Sequence, residues 1–292
     1  MLGSTFRYVA RHPGRAVRAL ATDPLGVWDT LQGRLVQSRE YRDGPCRWVP
    51  DRDWEAALHR ALGVAWPCPE ATQCRSLWPH VVADVETWGV RVGPESFNGF
   101  NDGDAALVRA IWCLVRHLKP RHVVETGVAH GFTSRFILEA LERNGAGHLS
   151  SIDRPPLDPA MRKQIGIAVS DRRRWSLLAG SSHRHLSGLL ARVCEIELFV
   201  HDSLHTEHNL RFEIDRAWQH LKPGGALVID DVDTNRGFRS FLEAHPGQTT
   251  FVCEAEPARP DWRRFNGKGL FGIVLKNAGQ PVPAPGFRSS AI

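Results

Sequence analysis

The chain has 292 residues, of which 42% are hydrophobic and 24% charged, a composition that is typical of a globular protein and excludes extensive disorder. Its net charge of +5 is mild and the basic residues form no long block, so a nucleic-acid partner is not indicated. The six cysteines lack CxxC spacing, and no apolar run approaches the roughly 20 residues of a membrane span. Neither a zinc site of paired cysteines nor an integral membrane segment is predicted, and a cytoplasmic enzyme is the expectation.

Residues 1 to about 45 carry arginines between apolar residues, a pattern that fits peripheral contact with an anionic membrane or a partner. The same pattern fits a helical arm packed on its own protein, which Pro13 and Pro24 would divide into short helices. From Val49 to Val92 apolar residues recur at helical spacing and tryptophans are frequent. We predict that residues 1–100 form a helical extension or cap, whose tryptophans form a core or line a substrate pocket.

Residues 92–104 are rich in Gly, Asn and Asp, which predicts a loop that could fold over an active site. Helices are predicted at residues 105–118 and 206–221, and strands at residues 122–124, 148–153, 175–179, 197–200, 226–229, 249–253 and 270–275. This alternation predicts a Rossmann-like α/β domain over residues 101–278, with a seven-stranded, mostly parallel sheet and an antiparallel last strand. Residues 279–292 are predicted to be a loose C-terminal tail.

The first predicted strand leads into a glycine turn and a helix start. Glu125, Thr126 and Gly127 begin the turn, Gly131 follows, and Thr133 and Ser134 begin the helix. Glycines let the backbone approach a ligand and leave helix N–H groups facing it. The spacing ExGxxxG differs from the GxGxxG of dinucleotide folds, and a turn of an unrelated α/β protein is the alternative.

The second predicted strand ends in Asp153, which lies 26 residues after Gly127 (153 − 127). A carboxylate at this position of a nucleoside-binding α/β fold accepts hydrogen bonds from both ribose hydroxyls. Asp153 is therefore the predicted ribose ligand, and the alternative is an ordinary helix cap.

Three carboxylates follow the fourth and fifth predicted strands. Asp202 ends the fourth, and Asp230 and Asp231 end the fifth. Carboxylates that converge without a compensating charge repel each other, and a divalent cation removes that cost. Oxygen ligands suit Mg²⁺ better than zinc, so a magnesium site is predicted here. The alternative is that Asp231 caps the next helix while Asp230 faces solvent.

These motifs resemble a known family as a set. The glycine turn resembles motif I of the class I S-adenosylmethionine-dependent methyltransferases. The run from Asp202 to Asp231, with His205 and the LKPGG turn at 221–225 between them, is similar to the macrocin O-methyltransferase and cephalosporin hydroxylase-like family. The resemblance covers roughly residues 104–276.

The resemblance implies the cofactor S-adenosyl-L-methionine and roles for individual residues. Glu125 and Gly127 would line its methionine end, Ser181 would contact adenine, and the cofactor would also be bound by the other residues of the turn, Thr126, Gly131, Thr133 and Ser134. The acids Asp202, Asp230 and Asp231 would bind Mg²⁺. His205 would act as the base beside Asp202, with His201 and His208 as nearby alternatives.

The predicted function is a Mg²⁺-assisted O-methyltransferase acting on a hydroxyl of a small molecule or a sugar, and a homo-oligomer is compatible with the sequence. One alternative is a non-catalytic scaffold that docks through the basic N-terminal arm. A base-modifying methyltransferase is disfavoured, because residues 201–204 read His-Asp-Ser-Leu instead of an Asn/Asp-Pro-Pro-aromatic run. An iron hydroxylase is disfavoured because no His-His-carboxylate spacing is recognisable.

Overall fold

In the computed structural model of the chain, residues 20–21, 23–40, 45–97, 100–156, 158–259 and 269–277 are described. Most of the predicted basic arm, at residues 1–19, and the predicted tail at 279–292 lie outside the described residues. No helix in the described ranges combines the length and the apolar character that crossing a membrane requires.

Within the described residues, the N-terminal part contains three helices and a hairpin: α1 (Pro24–Glu40), α2 (Trp54–Ala61), α3 (Pro69–Thr87), β1 (Gly93–Phe97) and β2 (Phe100–Asp102). The remainder alternates between helices and strands: α4 (Ala105–Leu118), β3 (His122–Thr126), α5 (Phe132–Asn144), β4 (His148–Asp153), α6 (Pro159–Arg162), β5 (Trp175–Ala179), α7 (Ser182–Val193), β6 (Ile196–His201), α8 (Glu207–His220), β7 (Leu221–Ile229), α9 (Gly237–Ala244), β8 (Thr249–Glu254) and β9 (Leu270–Leu275).

Seven strands form one sheet in the order β5-β4-β3-β6-β7-β9-β8. Strands β3 to β7 pair in parallel, and β9 runs antiparallel to both of its neighbours. The predicted seven-stranded, mostly parallel sheet with an antiparallel last strand is thus confirmed. The order reverses at β3, which pairs with β4 on one side and β6 on the other. In open α/β sheets such a switch point is where ligands bind, beyond the carboxyl ends of the strands.

The strands bury both faces because neighbouring residues point to opposite sides of a sheet. Val123 packs into a hydrophobic cluster with helices α2 to α5, while Val124 packs into a second cluster with α7, α8 and α9. Leu198 and Phe199 divide in the same way between the two clusters. Helices therefore cover both faces, and the edge formed by the carboxyl ends of the parallel strands carries the polar residues.

The structure differs from the sequence-based expectation at two places. Residues 92–104 were expected to form a loop, but β1 and β2 pair there as an antiparallel hairpin. The turn expected at 222–225 belongs to β7, which begins at Leu221 directly after α8. Gly225 lies too close to the carbonyl oxygen of Glu197 to carry a side chain, so this end of β7 packs tightly against β6.

The tryptophans of the N-terminal region do not share one environment. Trp54 and Trp78 are buried and belong to the same hydrophobic cluster as α4, α5 and the sheet, whereas Trp66 and Trp88 are exposed. The indole N–H of Trp78 donates to the carbonyl oxygen of Ala258 at 2.8 Å. Residues 54–92 thus pack on the sheet through a continuous core, and the proposed boundary near residue 100 remains a prediction.

Helix α1 lies across the carboxyl edge of the sheet. The Asp29 carbonyl oxygen accepts a hydrogen bond from Arg154, which follows β4, and the Asp29 carboxylate pairs with Arg184 at the start of α7. At the other end of α1, the Glu40 carboxylate accepts from the backbone N–H groups of Glu207 and His208, at 2.5 and 3.1 Å. Helix α1 is thus bonded to segments that follow three of the parallel strands, β4, β5 and β6.

Candidate active site

The turn after β3 requires glycine at two positions. Gly127 and Gly131 have φ angles of +86° and +87°, in the left-handed region that side chains rarely adopt. A Cβ on Gly127 would lie 1.7 Å from the carbonyl oxygen of Asp202, and one on Gly131 would lie 2.9 Å from the Cα of Gly166. The turn is therefore pressed against the loop after β6 on one side and against the segment around Gly166 on the other.

Glu125 lies beneath this turn and not on its surface. Its side chain is fully buried, and Oε2 accepts hydrogen bonds from the hydroxyls of Ser134 at 2.7 Å and Ser151 at 2.6 Å. Burial raises the pKa of Glu125 to about 8, although the two serine hydroxyls act in the opposite direction. Glu125 and Ser134, whose contact with the cofactor remains a prediction, join β3, β4 and α5 from within, because the strand pleat turns Glu125 towards α5.

Thr126, a further residue expected to bind the cofactor, is also fully buried. Its hydroxyl donates to Glu213 Oε2 at 2.5 Å, on the opposite face of the sheet from Glu125. His201 Nδ1 donates to the same oxygen at 2.6 Å, and Ser203 Oγ donates to Oε1 at 2.9 Å. Asn209 donates to Oε1 as well, at 3.0 Å. The Glu213 carboxylate therefore joins the ends of β3 and β6 to the start of α8 through hydrogen bonds.

The Glu213 network is a part of the site that the sequence did not reveal. Burial alone would raise the pKa of Glu213, but His201 and the hydroxyl donors lower it to about 2. The sequence does contain an indication of this network, because Glu213 lies on the apolar face of α8 between Leu210 and Ile214. A carboxylate at such a position must be paired inside the protein.

Asp153 stands at the carboxyl end of β4 and faces the glycine turn. Its Oδ2 accepts a hydrogen bond from the backbone N–H of Ala129 at 3.0 Å. Burial raises the pKa of Asp153 to about 6, against the lowering effect of backbone donors at Ala129 and Val128. The carboxylate is thus a hydrogen-bond acceptor held at the mouth of the turn.

Two further predicted residues lie at helix starts on this edge. Thr133 is half-buried in the first turn of α5, whose N-cap is Gly131. Ser181 is the N-cap of α7, and its hydroxyl accepts a hydrogen bond from Arg184 Nε at 3.3 Å. Because Arg184 also pairs with Asp29, Ser181 lies beside the contact between α7 and α1.

An acid and histidine cluster follows β6 and β7. One donor atom from each of Asp202, His205 and Asp230 lies within 4.8 Å of the others. His205 Nδ1 lies 2.9 Å from Asp231 Oδ2, whereas His205 Nε2 lies 3.7 Å from Asp202 Oδ1, beyond hydrogen-bond distance. The structure thus brings the predicted acids together around His205, with Asp231 facing Nδ1 and Asp202 facing Nε2.

Charge dominates this cluster. Burial, followed by repulsion from Asp231 and Asp202, raises the pKa of Asp230 well above its usual value. Burial favours the neutral form of His205, but the facing carboxylates outweigh it and raise the pKa of His205 well above its usual value. Positive charge is therefore stabilised at this point of the structure.

The backbone of Asp231 is held in an uncommon conformation. Its φ angle is +52°, and its carbonyl oxygen accepts hydrogen bonds from the backbone N–H and the hydroxyl of Thr234, at 3.0 and 2.8 Å. Left-handed backbone at a residue other than glycine costs of the order of 1–3 kcal/mol and persists where the surroundings fix it. The tight turn aims the Asp231 carboxylate back at His205.

The central part of the chain matches a family of known proteins. Residues 124–232, from β3 to just after β7, match a family described as "Methyltransferase domain". The chain carries a methyltransferase domain over these residues. No curated protein matches the sequence of this methyltransferase.

Solved structures resemble the methyltransferase at low sequence identity. A putative O-methyltransferase from Klebsiella pneumoniae is 16% identical, with a TM-score of 0.51, covering 77% of this chain and 96% of that one. The O-methyltransferase from Bacillus cereus in complex with SAH is 14% identical, with a TM-score of 0.49, covering 75% and 97% of the two chains. The Klebsiella structure shows that the fold is shared.

Proposed function

We propose that this chain transfers the methyl group of S-adenosyl-L-methionine to a hydroxyl of a small molecule or a sugar. The observation that carries the proposal is the contact between the two halves of the site. The glycine turn, which suits a nucleoside cofactor, is packed through Gly127 against the backbone of Asp202, which begins the acid and histidine cluster. A methyl donor in the turn would lie beside an acceptor held at the cluster.

The cofactor would be held by the surface of the turn and by Asp153. Gly127 and Gly131 present no side chain at the two ends of the turn, and Asp153 offers carboxylate oxygens to the ribose hydroxyls. Thr133 and Ser181 lie on the same edge and complete the proposed contacts. We assign Glu125, Thr126 and Ser134 to the support of the turn, since their side chains are fully buried.

The cluster fits a divalent cation. Asp202 and Asp230 supply hard oxygen donors, and Asp230 Oδ1 is buried without a hydrogen-bond partner. A bound Mg²⁺ or similar cation would polarise the acceptor hydroxyl and lower its pKa. The donor atoms of Asp202 and Asp230 would hold this cation, while Asp231 is engaged with His205.

His205 is the proposed base. Asp231 Oδ2 accepts from Nδ1, which fixes the ring orientation. The facing carboxylates alone would keep His205 protonated, whereas a cation held by Asp202 and Asp230 would offset their charge and leave Nε2 as the proton acceptor. Nε2 has no hydrogen-bond partner in the structure. The acceptor proton would pass to Nε2 while the hydroxyl oxygen attacks the methyl group, and the sulfonium leaves as a neutral thioether. The order of Asp202, His205, LKPGG and the paired acids supports placing the chain near the macrocin O-methyltransferase-like family.

The test has a binding arm and a transfer arm. Calorimetric titration with S-adenosylhomocysteine is expected to give micromolar binding that weakens at least tenfold in Asp153→Ala, and not in Asp171→Asn, an exposed aspartate on a distant turn. Transfer of labelled methyl to a panel of catechols and sugars is expected to require a divalent cation and to be lost in Asp230→Asn. Absence of cofactor binding would refute the proposal, and EDTA-resistant turnover of Asp230→Asn would remove the cation from it.

A further inference from the structure

A second cluster of ligand-type side chains lies at the opposite edge of the sheet. His59 belongs to α2, Cys68 is the N-cap of α3, and His117 lies in the last turn of α4. Helix α4 leads into the amino end of β3, so this cluster is remote from the carboxyl edge that holds Asp202 and Asp153. One donor atom from each of the three side chains lies within 4.8 Å of the other two.

The hydrogen bonds of the cluster leave one nitrogen without a partner. His59 Nδ1 lies 2.6 Å from the carbonyl oxygen of Glu55, which can only accept, so Nδ1 carries the proton. His59 Nε2 therefore carries a lone pair. His59 is 1% exposed, and Nε2 has no hydrogen-bond partner. A buried acceptor without a donor costs about 1–3 kcal/mol.

The other two ligands already contact each other. Cys68 Sγ lies 3.2 Å from His117 Nε2, and the rings of His59 and His117 are 5.4 Å apart in an edge-to-face arrangement. A simple thiol–imidazole hydrogen bond would account for Cys68 and His117. It leaves His59 Nε2 unsatisfied, whereas a metal ion would satisfy all three side chains at once.

We propose that His59, Cys68 and His117 bind a transition-metal ion, for which Zn²⁺ is the favoured species. Two imidazole nitrogens and one thiolate are donors that suit zinc and exclude Mg²⁺ and Ca²⁺. On binding, the Cys68 thiol would release its proton to solvent and the His117 nitrogen would turn from the thiol to the metal. Water or another external donor would complete the tetrahedron, because three side chains supply three ligands.

The surroundings are suited to hold such an ion. The Glu55 carbonyl oxygen fixes the tautomer and the orientation of His59, as second-sphere carbonyls do in zinc sites. The Trp66 ring packs over His59 with centroids 4.8 Å apart. Cys68 precedes the first turn of α3, where the helix dipole favours negative charge. His117 is partly exposed and offers an entry path.

The proposed site would fasten three helices together. Helices α2 and α3 belong to the N-terminal part of the chain, while α4 is the first helix of the alternating α/β region. The ion would therefore join the N-terminal helices to the catalytic region without touching the reacting groups. Its expected effect is on stability, with a higher Tm when Zn²⁺ is present, because a ligand that binds only the folded state stabilises it.

Cobalt titration of the purified full-length chain, stripped of metal, provides the test. One equivalent of Co²⁺ is expected to give tetrahedral visible bands and a near-ultraviolet thiolate-to-cobalt charge-transfer band, which added Zn²⁺ abolishes. The charge-transfer band reports thiolate ligation, so Co²⁺ bound by Asp202 and Asp230 does not produce it. Cys68→Ser and His117→Gln should each remove the band, while Cys194→Ser, which alters an exposed cysteine elsewhere, should retain it.

The outcomes separate clearly. Absence of the band in the wild-type chain, or its persistence in Cys68→Ser or in His117→Gln, overturns the proposal. Circular dichroism establishes that each variant is folded, and His117→Gln decides the matter if Cys68→Ser does not fold, because His117 lies nearer the surface. The Tm of the wild-type chain should rise with Zn²⁺ while that of His117→Gln stays unchanged, and equal shifts in both would contradict the assigned ligands.

Discussion

Glu125 illustrates how a motif residue can act from beneath the surface. Its carboxyl is fully buried, accepts from Ser134 and Ser151, and has a pKa raised by burial to about 8, so it is mainly protonated at neutral pH. Glu125→Gln, which is neutral and of similar shape, should change the free energy of unfolding by less than about 1 kcal/mol and leave the affinity for S-adenosylhomocysteine unchanged. Glu125→Ala should lower the free energy of unfolding by about 2–4 kcal/mol. Chemical denaturation and calorimetry measure both, and a tenfold loss of affinity in Glu125→Gln would restore the direct cofactor role.

Asp153 gives the site a dependence on pH. The folded-state pKa is raised to about 6, so the carboxylate form that accepts from ribose hydroxyls predominates above that pH and is lost below it. Affinity for S-adenosylhomocysteine should therefore fall roughly tenfold for each pH unit below about 6, since a pKa unit corresponds to a tenfold change. Calorimetric titrations across this range measure the profile. Asp153→Asn should bind weakly at every pH, and an identical profile in that variant would assign the titration to another group.

Among the elements, α8 depends on charges that come from outside it. The Glu40 carboxylate accepts from the backbone N–H groups of Glu207 and His208, where the helix dipole favours an anion. Glu40→Ala should lower the free energy of unfolding by about 1 kcal/mol, as the loss of a helix cap does. Arg39→Ala, one residue away, serves as the control. Equal urea midpoints for Glu40→Ala and the wild type would show that the contact contributes nothing.

Inside α8, Glu213 links stability to acid pH. Its pKa is lowered from 4.5 to about 2 by His201 and hydroxyl donors that outweigh burial, so its stabilising contribution is complete above about 4.5 and is lost as the pH falls towards 2. Thermal unfolding over this range should show a steeper decline for the wild type than for Glu213→Gln. At neutral pH, Glu213→Gln should lower the free energy of unfolding by about 3–5 kcal/mol because it breaks a buried charged network. If the Tm of the wild type and of Glu213→Gln fell equally with pH, the acid dependence of stability could not be assigned to Glu213.

At the scale of the whole molecule, local sequence patterns were sufficient for the sheet and insufficient for side-chain environments. The apolar runs of β3, β4 and β6, each followed by a polar residue, located the strands and the edge that carries Asp153 and Asp202. Whether Glu125 faces a ligand or the core depends on the pleat of β3 and on the helix that covers that face of the sheet. The local sequence pattern predicts neither of these features. The hairpin at β1 and β2 has weak strand propensity and depends on its tertiary setting.

The second cluster was hidden from sequence for a different reason. His59, Cys68 and His117 lie on three helices, and the separation of Cys68 from His117 is 49 residues. Metal sites are recognised in sequence when the ligands are closely and regularly spaced, as in paired CxxC motifs. Here the three ligands meet only because α2, α3 and α4 pack together. The cluster can therefore be recognised in the structure and not in the sequence.

The close approach of Gly127 to the Asp202 carbonyl oxygen holds the glycine turn directly against the acid and histidine cluster. With only 1.7 Å available for a Cβ, any larger residue at Gly127 would push the glycine turn away from the acid cluster. Under the proposed function, this backbone contact would help to set the spacing between a cofactor in the turn and an acceptor at the cluster. On the same proposal, the choice of acceptor would depend on the surroundings of the cluster, such as α1, and redesign of this protein for a new acceptor should begin there.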